Sequence, residues 1–334
     1  MIAFVGRRIA AMVIQVIVVT LIAYVLFFVV SSATGATPEQ RIAGKGATPE
    51  QVAQVAKILG TDKPIYEQYL IFLAGAVHGD FGYSFAYREP VSELLLPAAV
   101  VTASLVAVAA VLWTLLAVPI GIIGALRVGS RIDRILTALT QVGISAPVFW
   151  VGPMLVYFLA FLPSQGYLFG VNVGRPVTVF PLEGYTAFTS SPLDWLRHLL
   201  LPALALAIGF AALYARFIRA LIREQLGQDY VLVARSKGLS MARVIRSHIG
   251  LVVLPSVVVL LGLDIGATLG GALFAEVTFG LPGLGFLAVN SIKTLDYPMT
   301  VGAITLAALM AVLANTVADI AQAALDPRVR RSRT

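Results

Sequence analysis

The amino-acid sequence predicts an all-α membrane protein with six transmembrane helices. Of its 334 residues, 59% are hydrophobic and only 12% are charged, which is about half the charged fraction of a soluble domain, ~25%. A transmembrane helix needs about 20 mostly apolar residues. Six runs qualify, over about 9–30, 98–126, 135–162, 199–221, 250–275 and 300–322. No linker or change of composition marks a second domain, so we interpret residues 1–334 as a single transmembrane domain.

We count each apolar run as one span. The first run is too long for the core of a secretory signal peptide, and no small-residue cleavage site of the A-x-A type follows it. Prolines and glycines within the runs do not change the count, because neighbouring helices can satisfy the backbone groups that such residues free. These residues are Pro119, Pro147, Pro153, Gly262 and Gly266.

The distribution of charge indicates which side of the membrane each connecting segment occupies. Sixteen of the 24 basic residues lie before the first run, after the last run, between runs two and three, or between Arg216 near the end of run four and the start of run five. The other segments carry 8 basic and 11 acidic residues. By the positive-inside rule the basic side is cytoplasmic. The sequence therefore predicts cytoplasmic termini, a cytoplasmic loop over 223–249, and external segments over 31–97 and 163–198. Topology accounts for the net charge of +7, so nucleic-acid binding is not expected.

The residue types present exclude several kinds of catalytic site. The chain contains no cysteine, which rules out disulfides, thiol catalysis, iron–sulfur clusters and cysteine-ligated zinc. Its three histidines, His78, His198 and His248, lie outside the apolar runs, so an intramembrane serine or zinc hydrolase would lack its base or its ligands.

ATP binding by this chain is excluded in the same way. The Gly44-Lys45 pair is not part of a P-loop, because Glu39 stands where the first glycine of G-x-x-x-x-G-K-[ST] belongs. We therefore expect no cofactor in this chain. Hydropathy alone does not separate an active transporter from a passive channel.

A basic stretch in the predicted cytoplasmic loop, "DYVLVARSKGLSMARVIRSHIGLVVLP" (229–255), has the pattern of two helices joined by a tight turn. Asp229 suits the start of the first helix, and Arg235 and Lys237 suit its end, where cations are favoured by the helix dipole. Gly238 fits the left-handed position that closes such a helix. Ser240 can cap a second helix at the membrane surface. From spacing alone, an ordinary amphipathic loop held by anionic lipid explains this stretch equally well.

Two further features bear on structure and transport. In the external segment 31–97, Thr48 as N-cap, Pro49 at the first helical position and Gly60 at the end predict a surface helix.

Asp264 lies in the middle of the fifth run, where a carboxylate costs about 2.5–3.5 kcal/mol on insertion scales. It therefore either accepts a structural hydrogen bond from a neighbouring span or lines a translocation pathway, where it would meet a peptide ammonium or order water.

Five stretches resemble the membrane subunits of ATP-binding-cassette (ABC) importers, in the form found in dipeptide and oligopeptide permeases. The cytoplasmic stretch resembles the family's loop signature Glu-Ala-Ala-x-x-x-Gly. Ala234 and Gly238 match it, and Leu232 replaces the Glu, as is usual in the peptide branch. The other four are "LGTDKPIYEQYLIFLAGAVHGDFGYSF" (59–85), "SAPVFWVGPMLVYFLAFLP" (145–163), "EVTFGLPGLGFLAVNSI" (276–292) and "ALDPRVR" (324–330). The resemblance implies a type I importer permease fold and a multi-pass location in the inner (plasma) membrane of a prokaryote.

The resemblance also implies roles for particular residues. The loop would be a coupling helix that docks in a cleft of an ATPase subunit, with contacts from Asp229, Tyr230, Ala234, Arg235, Lys237, Gly238 and Leu239, of which Ala234 and Gly238 are small enough for close approach. An external loop near 276–300 would face a solute-binding protein, with Glu276, Gly283, Gly285 and Asn290 as candidates.

Partners and substrate follow from the same resemblance. It implies a second, homologous permease subunit, two ABC ATPase subunits or domains that bind ATP and Mg²⁺, an extracytoplasmic solute-binding protein and the lipid bilayer. The expected substrate is a dipeptide or oligopeptide. Glutathione, nickel complexes and other small solutes stay open as alternatives, because related permeases carry them and selectivity lies largely in the binding protein.

Overall fold

The computed structural model describes residues 2–34, 38–44, 46–168, 171–177 and 179–325. The C-terminal arginines used in the charge argument lie outside these residues. The helices are, in chain order, α1 (Ile2–Thr34), α2 (Pro38–Ala43), α3 (Pro49–Leu59), α4 (Ile65–Val77), α5 (Val91–Leu126), α6 (Arg131–Ser145), α7 (Val148–Val156), α8 (Leu162–Ser164), α9 (Pro192–Leu226), α10 (Asp229–Ser236), α11 (Met241–Val244), α12 (Gly250–Phe279), α13 (Leu284–Thr294) and α14 (Tyr297–Leu325).

Two five-residue π-helical segments each join two of these α-helices without a break. Tyr157–Phe161 joins α7 to α8, and Ile245–Ile249 joins α11 to α12. A pair of two-residue strands, β1 (Tyr167–Leu168) and β2 (Val171–Asn172), forms an antiparallel hairpin with Tyr167 opposite Asn172.

Helices long and apolar enough to cross a membrane coincide with four of the predicted runs. Within the described residues these are Val91–Leu126, Pro192–Leu226, Met241–Phe279 and Tyr297–Ala318, and α1 contributes a shorter apolar stretch, Ala10–Val25. The chain is thus a mostly helical membrane protein, as predicted. The count of six spans and the cytoplasmic position of both termini remain predictions.

The run 135–162, predicted as one span, is not a single straight helix. The helices Arg131–Ser145 and Val148–Ser164 meet at an angle of 105°. The break falls at Ala146, whose backbone is extended (φ −88°, ψ 109°), because the ring of Pro147 disfavours the helical conformation of the residue before it. Pro119 and Pro153, in contrast, lie inside continuous helices.

The predicted cytoplasmic segment also differs from expectation at its second helix. The first helix and its glycine turn are present, but α11 does not end at the membrane surface. It continues through the π-helical turn into α12, so that Met241–Phe279 is one 39-residue helix. Ser240 precedes it in an extended conformation and forms no side-chain cap.

The two external segments contain more regular structure than was predicted. In the first, α3 has the expected capping box, with Gln51 N–H donating to Thr48 Oγ1 and Thr48 N–H to Gln51 Oε1, and Gly60 closes it at φ +69°. The helices α2 and α4 were not predicted. In the second segment, the predicted loop contains the β-hairpin and the first turns of α9, which begins at Pro192 after a cap from Ser191 Oγ.

The chain packs into two compact units. One unit comprises Met1–Thr102 and Pro282–Val312. One core within it brings together α5, α13 and the start of α14 through Val91, Leu95, Leu284 and Met299. A second core in this unit joins α1 to α4 and α14 through Tyr24, Tyr69 and Val301.

The other unit, Ala103–Leu281 and Leu313–Thr334, is organised around α9, which packs against α6, α7 and α12. In an 18-residue apolar segment of α9, 61% is buried inside the protein, compared with 22–28% in the equivalent segments of the other three long helices. Small residues allow helices here to approach closely. A Cβ at Gly262 would overlap Ala318, and one at Gly266 would overlap the Asn315 side chain, so α12 and the end of α14 cross at these glycines.

Candidate functional site

The helix α10 ends in the turn that the sequence predicts. Gly238 has a left-handed backbone (φ +80°). Leu239 N–H donates to Ala234 O (3.3 Å) and Gly238 N–H donates to Arg235 O (2.9 Å), which is the paired arrangement of a Schellman motif. The motif satisfies the carbonyls at the helix end and reverses the chain within four residues, from Lys237 to Ser240, before α11 begins.

One face of α10 is buried and the other is open. Val231 and Ala234 are buried, at 2% and 5% exposure, and α10 packs against α11, whose Val244 is also buried. The methyl group of Ala234 therefore faces its own chain, which gives an internal reason for a small residue there. The open face carries Arg235, Ser236 and Lys237 together with Leu232 and Val233, which are 68% and 53% exposed.

The other predicted residues of this helix lie at its ends. Asp229 is exposed in the first turn, where its charge suits the helix dipole, but the N-cap position belongs to Gln228. Tyr230 Oη donates to Gln225 Oε1 of α9 at 2.9 Å, and burial raises the pKa of the Tyr230 phenol, so it stays protonated at neutral pH. Leu239 is half-buried in the turn.

A short connection joins α10 to the long helix α9. Gly227 and Gln228 alone separate the two helices, and Gln228 N–H donates to Gln225 O at 3.1 Å. Because so few residues intervene, a displacement of α10 must also move the end of α9.

An ion pair fixes α9 close to this connection. Arg219 Nη2 lies 2.8 Å from Asp133 Oδ1 of α6, and the two side chains are 23% and 9% exposed. Arg219 Nη1 also donates to Thr137 Oγ1 at 2.7 Å. Asp133 Oδ2 accepts from Gly129 N–H at 2.9 Å. The carboxylate thus ties the loop before α6 to the end of α9.

Sequence reasoning used Arg219 only as a topology marker and Asp133 only in the count of charges. A usable signal was present, since Asp133 is the sole acid in the otherwise basic stretch 127–134. The exposed pair Leu232 and Val233 was also missed, although adjacent apolar residues on a short polar helix are a recognisable sign of a contact surface.

Asp264 is half-buried on α12. Its Oδ2 accepts a hydrogen bond from Tyr214 Oη of α9 at 2.6 Å. The structure therefore contains the hydrogen bond from a neighbouring helix that a structural role of Asp264 requires. The donor is a tyrosine. The partial exposure of the side chain is compatible with the pathway interpretation.

The residues predicted to face a binding protein are mostly enclosed. Glu276 is fully buried (0% exposure) near the end of α12, so its side chain cannot form an external contact surface. Gly283 is buried at the start of α13, and Gly285 and Asn290 are half-buried. The exposed positions of 276–300 are Val277, Pro282, Ile292, Lys293 and Thr294. Glu276 was mistaken for a loop residue because the predicted span ended at residue 275, whereas α12 continues to Phe279.

The part of the chain that the structure describes contains no candidate metal-binding site. No group of three or more His, Asp or Glu side chains is arranged there to hold a metal ion. The arrangement around α10 consists instead of an open helix face, a Schellman turn and a two-residue joint to a buried helix.

Two family models match the chain over most of its length. Residues 117–331 match the model of the binding-protein-dependent transport system inner membrane component. The chain belongs to this family. Residues 1–106 match the model of the N-terminal region of such membrane components. The chain is therefore a multi-pass inner-membrane component of a transport system and is not an intramembrane hydrolase.

Individual relatives match most or all of the chain. The dipeptide transport system permease protein DppB of Escherichia coli (strain K12) is 32% identical over 343 residues, with 100% of both chains covered. A Brucella abortus (strain 2308) protein named as a peptide transport system permease is 34% identical over 330 residues, 99% of each chain. A Brucella suis protein named as a peptide permease is 37% identical over 277 residues, 81% of this chain and 82% of the relative.

Proposed function

We propose that this chain is the translocation-pathway subunit of an ATP-driven importer of dipeptides and oligopeptides. Membership of the inner-membrane component family supports a transport role. Full-length similarity to a chain named as a dipeptide permease supports the substrate class. The observation that carries the mechanism is α10, a short helix with an open face, held by a Schellman turn and joined to α9 by two residues.

In this mechanism α10 is the coupling helix. ATP and Mg²⁺ bind to separate ATPase subunits, which close on each other and push on the docked helix. Leu232 and Val233 provide the apolar part of the docking surface, and Arg235, Ser236 and Lys237 provide its polar rim. Because the turn and the joint are short, the push reaches α9 as a rigid-body displacement, and α9 contacts three other helices of its unit.

The proposed assembly contains one more permease of the same family, two ATPase subunits or domains, and an external solute-binding protein. The six-span topology with both termini in the cytoplasm belongs to this proposal, with Arg131–Ser164 as a broken third span. It is tested by single cysteines in the naturally cysteine-free chain. A cysteine at Ser236 should react with an impermeant maleimide only after inner-membrane permeabilisation, and one at Ser190 should react from outside. The reverse pattern would contradict the topology.

The function is tested by purifying the complex through a tag on this chain. Mass spectrometry should find a homologous permease and two ATPase chains. ATP-dependent uptake into proteoliposomes, with the binding protein supplied, should be saturable for a labelled dipeptide. Parallel arms with glutathione and with a nickel chelate would identify a different solute. Robust ATP hydrolysis by the isolated chain, or uptake without ATP, would contradict the proposal.

A further inference from the structure

The helix α4 (Ile65–Val77) lies within the predicted external segment, yet from Tyr69 onward it contains only Tyr69, glycine and apolar residues. After Glu67 it contains no charged residue. Its open face is formed by Tyr66, Leu70, Ile71, Ala74 and Val77, of which Leu70 is 60% and Val77 84% exposed. A helix that is hydrophobic all round belongs in a protein core or in a membrane, because a helix at a water-exposed surface carries polar residues on its outer side.

The hydrogen bonds of the buried face place α4 beside the first span. Tyr69, 8% exposed, donates to Ile17 O at 2.9 Å, and its hydroxyl lies 2.9 Å from Thr20 Oγ1. Tyr24 Oη donates to Gln68 Oε1 at 3.1 Å. The Tyr69 hydroxyl and the Gln68 side-chain oxygen of α4 are therefore hydrogen-bonded to α1, while Gln68 Nε2 donates to Thr61 O and Lys63 O just before α4.

The depth of these contacts follows from the geometry of α1. The described apolar stretch of α1 begins at Ala10, just after the charged residues of its first turns. From Ala10 to Thr20 an α-helix rises about 15 Å, which is half of a hydrocarbon core of about 30 Å. If α1 crosses the bilayer from Ala10, the Tyr69 hydroxyl lies near the middle of the bilayer, and Gln68 contacts Tyr24 one turn further along α1.

We propose that α4 is embedded in the bilayer leaflet opposite the start of α1, with its open face covered by lipid acyl chains. The adjacent helix α1 also has exposed apolar side chains, among them Ile14 (62%) and Ile22 (53%), which are lipid-facing if α1 is a span. At 13 residues, α4 is too short to cross, and Asp62, Lys63, His78 and Asp80 flank it. Its ends therefore stay near the polar boundary while its body lies among the chains.

The helix α3 gives an internal comparison. It lies in the same predicted external segment and in the same unit, but it carries Glu50, Gln51, Gln54 and Lys57 at exposed positions. It has the two-sided pattern of a helix in contact with water. Only α4 of this pair is proposed to lie in lipid.

The proposal is tested by site-directed spin labelling of the full complex in liposomes, since the chain has no native cysteine. Single cysteines are introduced at four positions. Leu70 is the test position, and Gln54, Ile14 and Ala303 are the references for water, lipid and the protein interior, respectively. Collision rates are measured with molecular oxygen, which partitions into lipid, and with a water-soluble nickel chelate. The ratio of oxygen to nickel accessibility at Leu70 should match Ile14 and exceed that at Gln54 several-fold.

Two other outcomes would overturn the proposal. A label at Leu70 that collides mainly with the nickel chelate, as at Gln54, would place α4 in water. A label that neither reagent reaches, as at the buried Ala303 (1% exposure), would show that another protein subunit covers this face.

Discussion

Arg219 Nη2 lies 2.8 Å from Asp133 Oδ1, and this pair joins the C-terminal part of α9 to the first turn of α6. The Arg219 and Asp133 side chains are 23% and 9% exposed, so removing either charge leaves the other poorly hydrated. We expect Asp133→Asn to lower stability by about 2 kcal/mol and to reduce uptake, because α9 loses an anchor near the coupling helix. Thermal unfolding in detergent and uptake in proteoliposomes measure the two effects.

Exchanging the two charges distinguishes the loss of the ion pair from other effects of the substitutions. The double variant Asp133→Arg with Arg219→Asp should recover part of the stability lost by either single change. Arg216→Gln, an exposed arginine on the same helix, serves as the control and should behave like the parent. A double variant no better than the sum of the single changes would show that the pair contributes no coupling energy.

Gly238→Val should uncouple transport without removing the protein from the membrane. The backbone at φ +80° is strongly unfavourable for a β-branched residue, with a strain of about 1–3 kcal/mol. That strain is small relative to the insertion of several apolar helices. We expect near-normal abundance, strongly reduced uptake, and ATPase activity that the loaded binding protein no longer stimulates.

Gly238→Asn is the matched control for this variant. A side chain at position 238 meets nothing within 4 Å in this chain, and asparagine tolerates the left-handed conformation. It should transport nearly as well as the parent. Normal transport by Gly238→Val would remove the main physical support for the coupling role. Loss of Gly238→Val from the membrane would show that the turn is required for folding.

Gly262→Ala should destabilise the crossing of α12 with the end of α14. The added Cβ would overlap Ala318, so the helices must separate, at a cost of about 1–3 kcal/mol. Gly270→Ala on the same helix is the control, because a Cβ there meets nothing within 4 Å. A lower unfolding temperature is expected for Gly262→Ala alone. Equal unfolding temperatures for the two variants would contradict the close crossing.

Asp264 and Tyr214 test whether the intramembrane carboxylate is structural or part of the pathway. Tyr214→Phe removes the donor of the 2.6 Å hydrogen bond and should lower stability by about 1.5–3 kcal/mol, as for bonds to charged groups. Asp264→Asn keeps an acceptor but removes the charge. If Asp264 lines the pathway, Asp264→Asn should reduce uptake of peptides with a free N-terminal ammonium at near-normal abundance. Unchanged uptake would leave Asp264 with a structural role only.

The parts of the fold and site that could be predicted are those that depend on nearby residues. Thr48, Gln51 and Gly60 define the ends of α3, and Gly238 defines the end of α10, because capping and left-handed turns involve residues a few positions apart. Apolar length was likewise sufficient to locate the long helices.

The features that could not be predicted depend on tertiary packing or on competition between principles. Asp133 and Arg219 lie on different helices, so only the fold reveals their pairing. At Ala146 the steric effect of Pro147 outweighed the apolar length of the run. The segment after Ser240 does not form a separate helix, because Met241–Phe279 folds as one continuous helix. Glu276 lies in the last turn of that helix and is buried there.

The central claim is that the open face of α10 docks on an ATPase subunit, and one crosslinking measurement tests it most directly. A single cysteine replaces Val233, which is 53% exposed, in the cysteine-free chain and is modified with a benzophenone maleimide in the assembled complex. After illumination, mass spectrometry identifies the attached peptide, and a cysteine at Ser190 serves as the control. We predict a crosslink from position 233 to a chain containing a G-x-x-x-x-G-K-[ST] loop, and none from position 190. Attachment of position 233 only to lipid, in a complex that retains its ATPase, would contradict the account.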